Sequence, residues 1–130
     1  MSLFSYPGIV QSVHDGDSLH IDLDMGFGMW NRGVAKSKPG MLVRLAACNA
    51  RELSEPGGTE ARDALAALLP VGTQVQVLSL GWDKYGGRIT ANVLLPNRRD
   101  LAALLVNQQW AAAWDGRGER PLPPWPRTVT

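Results

Sequence analysis

A chain of 130 residues, 45% hydrophobic and 19% charged, is long enough for one domain around a single core. Its formal net charge of +1 excludes a surface that is basic throughout, so any field that attracts nucleic acid must be local. No apolar run approaches the length of a membrane span, and Met1 to Pro7 lacks the basic start and apolar middle of a signal peptide. The expected setting is intracellular and cytoplasmic, in the style of a compact phage or bacterial protein, with no membrane and no obligatory protein partner. The lone Cys48 cannot close an internal disulfide and lies in an apolar stretch, which predicts a buried free thiol.

In chain order, Gly8 to Val13 and Ser18 to Leu23 flank Asp15-Gly16, a hairpin signal. Leu19, Ile21 and Leu23 alternate with His20, Asp22 and Asp24, the pattern of a strand buried on one face. Strand is expected to continue around Gly26-Phe27-Gly28, before a basic loop that ends at Lys36-Ser37-Lys38-Pro39-Gly40. Met41 to Ala46 gives a third strand. Glu55-Pro56-Gly57-Gly58 breaks the chain. A helix then runs from about Glu60 to Leu69, with Thr59 as N-cap, Pro70 as stop, and Ala61, Leu65, Leu68 and Leu69 on its apolar face.

Gln74 to Leu80 alternates with Val75 and Val77 inward, and Ile89 to Leu95 is the fifth strand. Asp100 caps a second helix, Leu101 to Gln108, with Leu101, Leu104 and Leu105 facing the core. Three strands, a helix, two strands and a helix predict a mainly β fold with helices (α+β), a five-stranded, partly open OB barrel. Residues 1–114 form that domain. Residues 115–130 are rich in proline, glycine and arginine and form an extended tail packed on it or running from it.

Three polar clusters beside apolar runs carry the chemistry: His14 to Ser18, Arg44 to Glu52, and Asp83 to Arg88. Acids can hold a hard divalent cation or accept a proton from water. Arginines can clamp a phosphate through paired hydrogen bonds. Separately, each cluster has a plain structural explanation: a hairpin with a solvated acid, an arginine on a strand's outer face, a glycine turn. His14-Asp15 also matches part of a histidine–aspartate phosphohydrolase site, but His20 is the only other histidine to complete it.

Taken together and in order, the three clusters resemble the staphylococcal nuclease-like (thermonuclease) family over roughly Pro7 to Trp114. Asp15-Gly16-Asp17-Ser18 matches its Asp-Gly-Asp-Thr motif, Arg44-Leu45 through Asn49-Ala50-Arg51-Glu52 its second, and Asp83-Lys84-Tyr85-Gly86-Gly87-Arg88 its third, with one extra glycine. The resemblance implies a calcium-dependent phosphodiesterase acting on DNA, and on RNA as well, with little sequence specificity and 3′-phosphate products. It assigns Asp17, the Asn49 side chain and the Ala50 carbonyl to Ca²⁺, with other divalent cations compatible. It makes Glu52 the base for water, Arg44 and Arg88 the phosphate clamps, and Lys84 and Tyr85 substrate contacts.

The chain departs from the family pattern at three points. Asn49 stands in place of a common Asp, Arg51 in place of proline, and Gly87 is inserted before Arg88. These departures keep a second expectation open: a catalytically weak or inactive OB module that binds single-stranded nucleic acid or a protein. Arg120 to Pro126 also fits a polyproline ligand of SH3 domains, but packing of the tail on its own domain is the favoured expectation.

Overall fold

The chain is described by a computed structural model over residues 4–33, 38–83 and 87–128. Its elements are β1 (Phe4–Asp15), β2 (Ser18–Gly26), β3 (Met29–Asn31), β4 (Met41–Leu45), β5 (Cys48–Ala50), α1 (Gly58–Leu68), β6 (Gln74–Trp82), β7 (Ile89–Leu94), α2 (Leu101–Asn107) and β8 (Ala111–Ala113). β1 pairs antiparallel with both β2 and β6, and β6 pairs antiparallel with β7. β7 then runs parallel to β4, and β4 antiparallel to β2. The ring β1-β2-β4-β7-β6 therefore closes, giving a mainly β, OB-like barrel with two helices. Closure removes the open edges that a flat five-stranded sheet would expose.

The interior follows the alternation in the sequence. Met41, Val43 and Leu45 of β4, Val75 and Val77 of β6, and Ile89, Ala91 and Val93 of β7 are buried, with neighbours of intermediate exposure between most of them. Leu101 and Leu105 of α2 join this core, and Leu104 packs partly buried beside it. Asp100 caps α2 as expected, its carboxylate accepting from Ala103 N at 3.0 Å. Among the described residues, no helix is long and apolar enough to cross a membrane.

Several local expectations are corrected. The chain turns at Phe27-Gly28 and pairs back as β3, because Gly26, Phe27 and Gly28 all adopt positive φ. β2 is buried on both faces: His20 packs against the Gly40 backbone, and Asp22 is met by Gln11 and Arg32. The first helix starts at Gly58 with Gly57, at φ 85°, in the cap position, so Thr59 lies inside it. Leu68 faces solvent, leaving Ala61, Leu65 and Leu69 on the buried side. β5 and β8, short strands of three residues each, form an unexpected second sheet beside the barrel.

Candidate active site

The first and second clusters meet because the barrel puts their elements side by side. Gly16-Asp17 forms the tip of the β1–β2 hairpin, closed by the Asp15–Ser18 pair. Ser18 is in register with Arg44 across the β2–β4 ladder. A Cβ at Gly16 would lie 2.8 Å from that of Ala50 and 2.9 Å from that of Ala61. Only a glycine lets hairpin tip, β5 and α1 close to this distance. Leu45 N donates to the Asp17 carbonyl at 2.9 Å, and Ala50 N donates to Asp17 Oδ2 at 2.8 Å.

Asp17 is 6% exposed, and its Oδ2 lies 3.2 Å from Arg44 Nη1. Burial, opposed by Arg44 and helped by nearby Asp15, pushes its carboxyl up to about 7. Arg44 Nη1 also donates to the carbonyls of Leu45 at 2.8 Å and Cys48 at 3.0 Å, and Nη2 reaches Asn49 Oδ1 at 3.5 Å. The Arg44 side chain, 15% exposed, is thus fixed by its own strand end and by β5. Cys48 is buried and free, and burial with Asp17 close by pushes its thiol up to about 12.

Glu52 follows β5 in a loop shaped by the glycines after it. A Cβ at Gly58 would collide with the Glu52 carbonyl, and a Cβ at Gly57 would meet the Trp125 ring at 2.6 Å. The Glu52 carboxylate is 64% exposed at the rim, while its backbone N donates to Glu55 Oε1 at 2.6 Å. Arg88 immediately precedes β7, its Nε 3.2 Å from Asp83 Oδ2, and Asp83 N donates to the Arg88 carbonyl at 2.9 Å. Lys84 and Tyr85, the expected substrate contacts, lie outside the described residues, as does Gly86.

Asp17, Arg44, Asn49, Ala50, Glu52 and Arg88 line one cleft of about 470 Å³. All described residues of the expected site therefore share one cavity, although they come from three separate segments. Trp82 and Trp114 also line it, with Asp115 and Arg120 from the tail. Each arginine in the cleft already has a carboxylate: Arg44 has Asp17, Arg88 has Asp83, and Arg120 has Glu55 at 2.6 Å.

Sequence reasoning missed Glu55 and Arg120. The tail, without helix or strand over its described residues, lines the cleft with Asp115, Gly116 and Arg120 and is tied to β5 and the loop after it. Asn49 Nδ2 donates to the Pro121 carbonyl at 2.7 Å, and Arg51 donates to the Pro123 carbonyl from Nε at 3.2 Å and from Nη2 at 2.8 Å. Arg51, which stands in place of the family's proline, is an anchor for the tail. Farther along, Arg127 stacks over Trp110 at 3.7 Å, and the Trp110 and Trp125 rings lie 6.4 Å apart.

The oxygens expected to hold calcium are of the right kind: a carboxylate, an amide and a carbonyl. Their surroundings do not fit the ion. Asn49 Oδ1 accepts from Arg120 Nε at 3.0 Å, and the Ala50 carbonyl accepts from Arg120 Nη2 at 3.4 Å. Asp17 Oδ2 is shared between Ala50 N and Arg44. No protein-family model matches the chain, and no curated protein matches it.

Proposed function

We propose that this chain is a phosphodiesterase of nucleic acids, of the staphylococcal nuclease-like kind. The observation that supports this most is the convergence of Asp17, Arg44, Glu52 and Arg88 on one cleft at the end of an OB-like barrel. A phosphodiester anion repels an incoming nucleophile, so its cleavage needs positive clamps and a base beside the water. Arg44 and Arg88 are the clamps, each exchanging part of its contact with Asp17 or Asp83 for phosphate oxygens. Glu52, at the rim, takes a proton as the water oxygen attacks phosphorus. The P–O5′ bond breaks, O5′ gains a proton from solvent, and the products carry a 3′-phosphate and a 5′-hydroxyl. The clamps address phosphate and not base edges, so little sequence preference is expected.

Calcium is given no step, because Arg120 stands against two of its expected donors. That same contact favours the second reading, an OB module that binds single-stranded nucleic acid without cutting it. One experiment separates them. Single-stranded DNA and RNA are incubated with the pure chain in Ca²⁺, Mg²⁺, Mn²⁺ or excess chelator, beside Glu52→Gln and Arg44→Ala. Cleavage that falls by about 10²-fold or more in both variants is the expected result. Binding without cleavage under every condition would select the second reading.

A further inference from the structure

Four side-chain or backbone groups from the single stretch 49–55 point their oxygens at one guanidinium. Arg120 donates from Nε to Asn49 Oδ1 at 3.0 Å and from Nη1 to Glu55 Oε2 at 3.2 Å. From Nη2 it donates to Glu55 Oε1 at 2.6 Å and to the Ala50 carbonyl at 3.4 Å, with Glu52 Oε1 at 4.0 Å. Two carboxylates, an amide and a carbonyl make an oxygen nest suited to a hard cation. Here the cation is covalently part of the chain. The planar fork accounts for the selection of arginine, because Nε and both Nη atoms each find an acceptor in one geometry.

We propose that Arg120 is the resident cation of this cleft, holding two of the three oxygens, Asn49 Oδ1 and the Ala50 carbonyl, that the resemblance assigns to a divalent ion. Its charge then does structurally what a metal would do. It draws Asn49, the Ala50 carbonyl and the Glu52–Glu55 loop together, and so acts as a positioning residue for Glu52. The neighbouring backbone holds Arg120 in place, since Pro121 and Pro123 receive Asn49 and Arg51 on the same stretch of tail. A divalent ion entering this nest would meet a fixed positive charge within a few ångströms and would have to displace four hydrogen bonds. The native chain therefore excludes Ca²⁺, and removal of the guanidinium creates a Ca²⁺ site from oxygens already gathered. The proposal rests on the phosphodiesterase reading only for its consequence, that native cleavage persists in chelator.

The test is a Ca²⁺ titration of the full chain, by calorimetry and by thermal melting, for wild type, Arg120→Ala and Arg120→Lys. Wild type is expected to show no saturable binding up to about 10 mM and no change in Tm with Ca²⁺. Arg120→Ala is expected to melt lower, to bind Ca²⁺ with Kd on the order of 1 mM or tighter, and to regain Tm as Ca²⁺ is added. Arg120→Lys keeps the charge and should remain blind to Ca²⁺. Should Arg120→Ala be unfolded without metal, refolding by Ca²⁺ in circular dichroism is the same supporting result, and its absence overturns the proposal. Ca²⁺ binding by wild type also overturns it. Cleavage assays run in parallel keep the two ideas apart: loss of cleavage in chelator sinks the resident cation. Absence of cleavage under all conditions, with Ca²⁺ binding gained by Arg120→Ala, sinks the nuclease and leaves the cation assignment standing.

Discussion

Asp17 ties together three parts of the site from a hairpin tip, and its loss should be felt as stability before it is felt as chemistry. Its carboxylate faces Arg44 Nη1 and receives Ala50 N, so at a pH above its raised value of about 7 Asp17→Ala leaves a mostly buried guanidinium without its counter-charge and a buried N–H without an acceptor. The expected cost is about 3 kcal/mol in urea unfolding. Asp17→Asn should cost clearly less, because the amide oxygen still accepts from Ala50 N. Equal losses for the two would show that the charge itself is what matters. Cys48 makes a second residue-scale prediction. Its thiol is held near 12 against an ordinary value of 9.0, so folding favours the protonated form. The stability this represents is full below pH 9.0 and is lost as pH rises toward about 12, and below that range the folded chain should resist alkylating reagents. Rapid alkylation under native conditions would contradict the burial of β5. Asp17, Arg44 and Glu52 were legible as candidates only because the three clusters occur together and in order, as in the family they resemble, since each cluster alone has a plain structural explanation. Glu55 and Arg120 were not, because neither belongs to a cluster: Glu55 reads as part of a chain break and Arg120 as part of a proline-rich tail.

The five barrel strands were legible as elements because their apolar residues repeat every second position and their turns carry glycine. β3, β5 and β8 were not, since three residues are too few to show a period. Exclusion of water from both faces of β2 was hidden for a different reason: the residues that cover His20 and Asp22 come from distant loops and from β1. The start of α1 shows tertiary contact overriding a local signal. Thr59 is a good cap by propensity, yet the helix begins at Gly58 because its backbone must pass close beneath the Glu52 carbonyl. Alanine in place of a helical glycine ordinarily stabilises by about 0.5–1 kcal/mol. Gly58→Ala should do the reverse here, lowering Tm and displacing the Glu52 loop, so cleavage should fall along with stability. A variant as stable as wild type or more so would mean that the loop yields and that Gly58 does not position Glu52.

At the scale of the whole molecule, the barrel and its loops line most of the cleft, the tail adds Asp115, Gly116 and Arg120, and the Arg120–Glu55 pair ties the tail to the loop after β5. The pair's pH dependence gives a way to measure the joint. Paired hydrogen bonds from Arg120, the largest effect, and the Glu52 N–H hold the Glu55 carboxyl at about 2 against an ordinary value of 4.5. When the tail detaches or the chain unfolds, Glu55 returns toward 4.5, so the folded state binds its proton more weakly than the unfolded state. The sign follows: the pair contributes its full stability above pH 4.5 and loses it as pH falls toward about 2. Both side chains are partly solvated, so the contribution is about 1 kcal/mol, well below what the shift would give for a fully buried pair. Melting of wild type and Glu55→Gln across this range should show a stability gap that is constant above pH 4.5, narrows below it and closes near pH 2. The glutamine variant cannot titrate at that position, so the narrowing must come from wild type alone. A gap that stays constant into acid would assign the tail's attachment to the Asn49–Pro121 and Arg51–Pro123 bonds, which do not titrate, and would leave Arg120 resting on neutral oxygens.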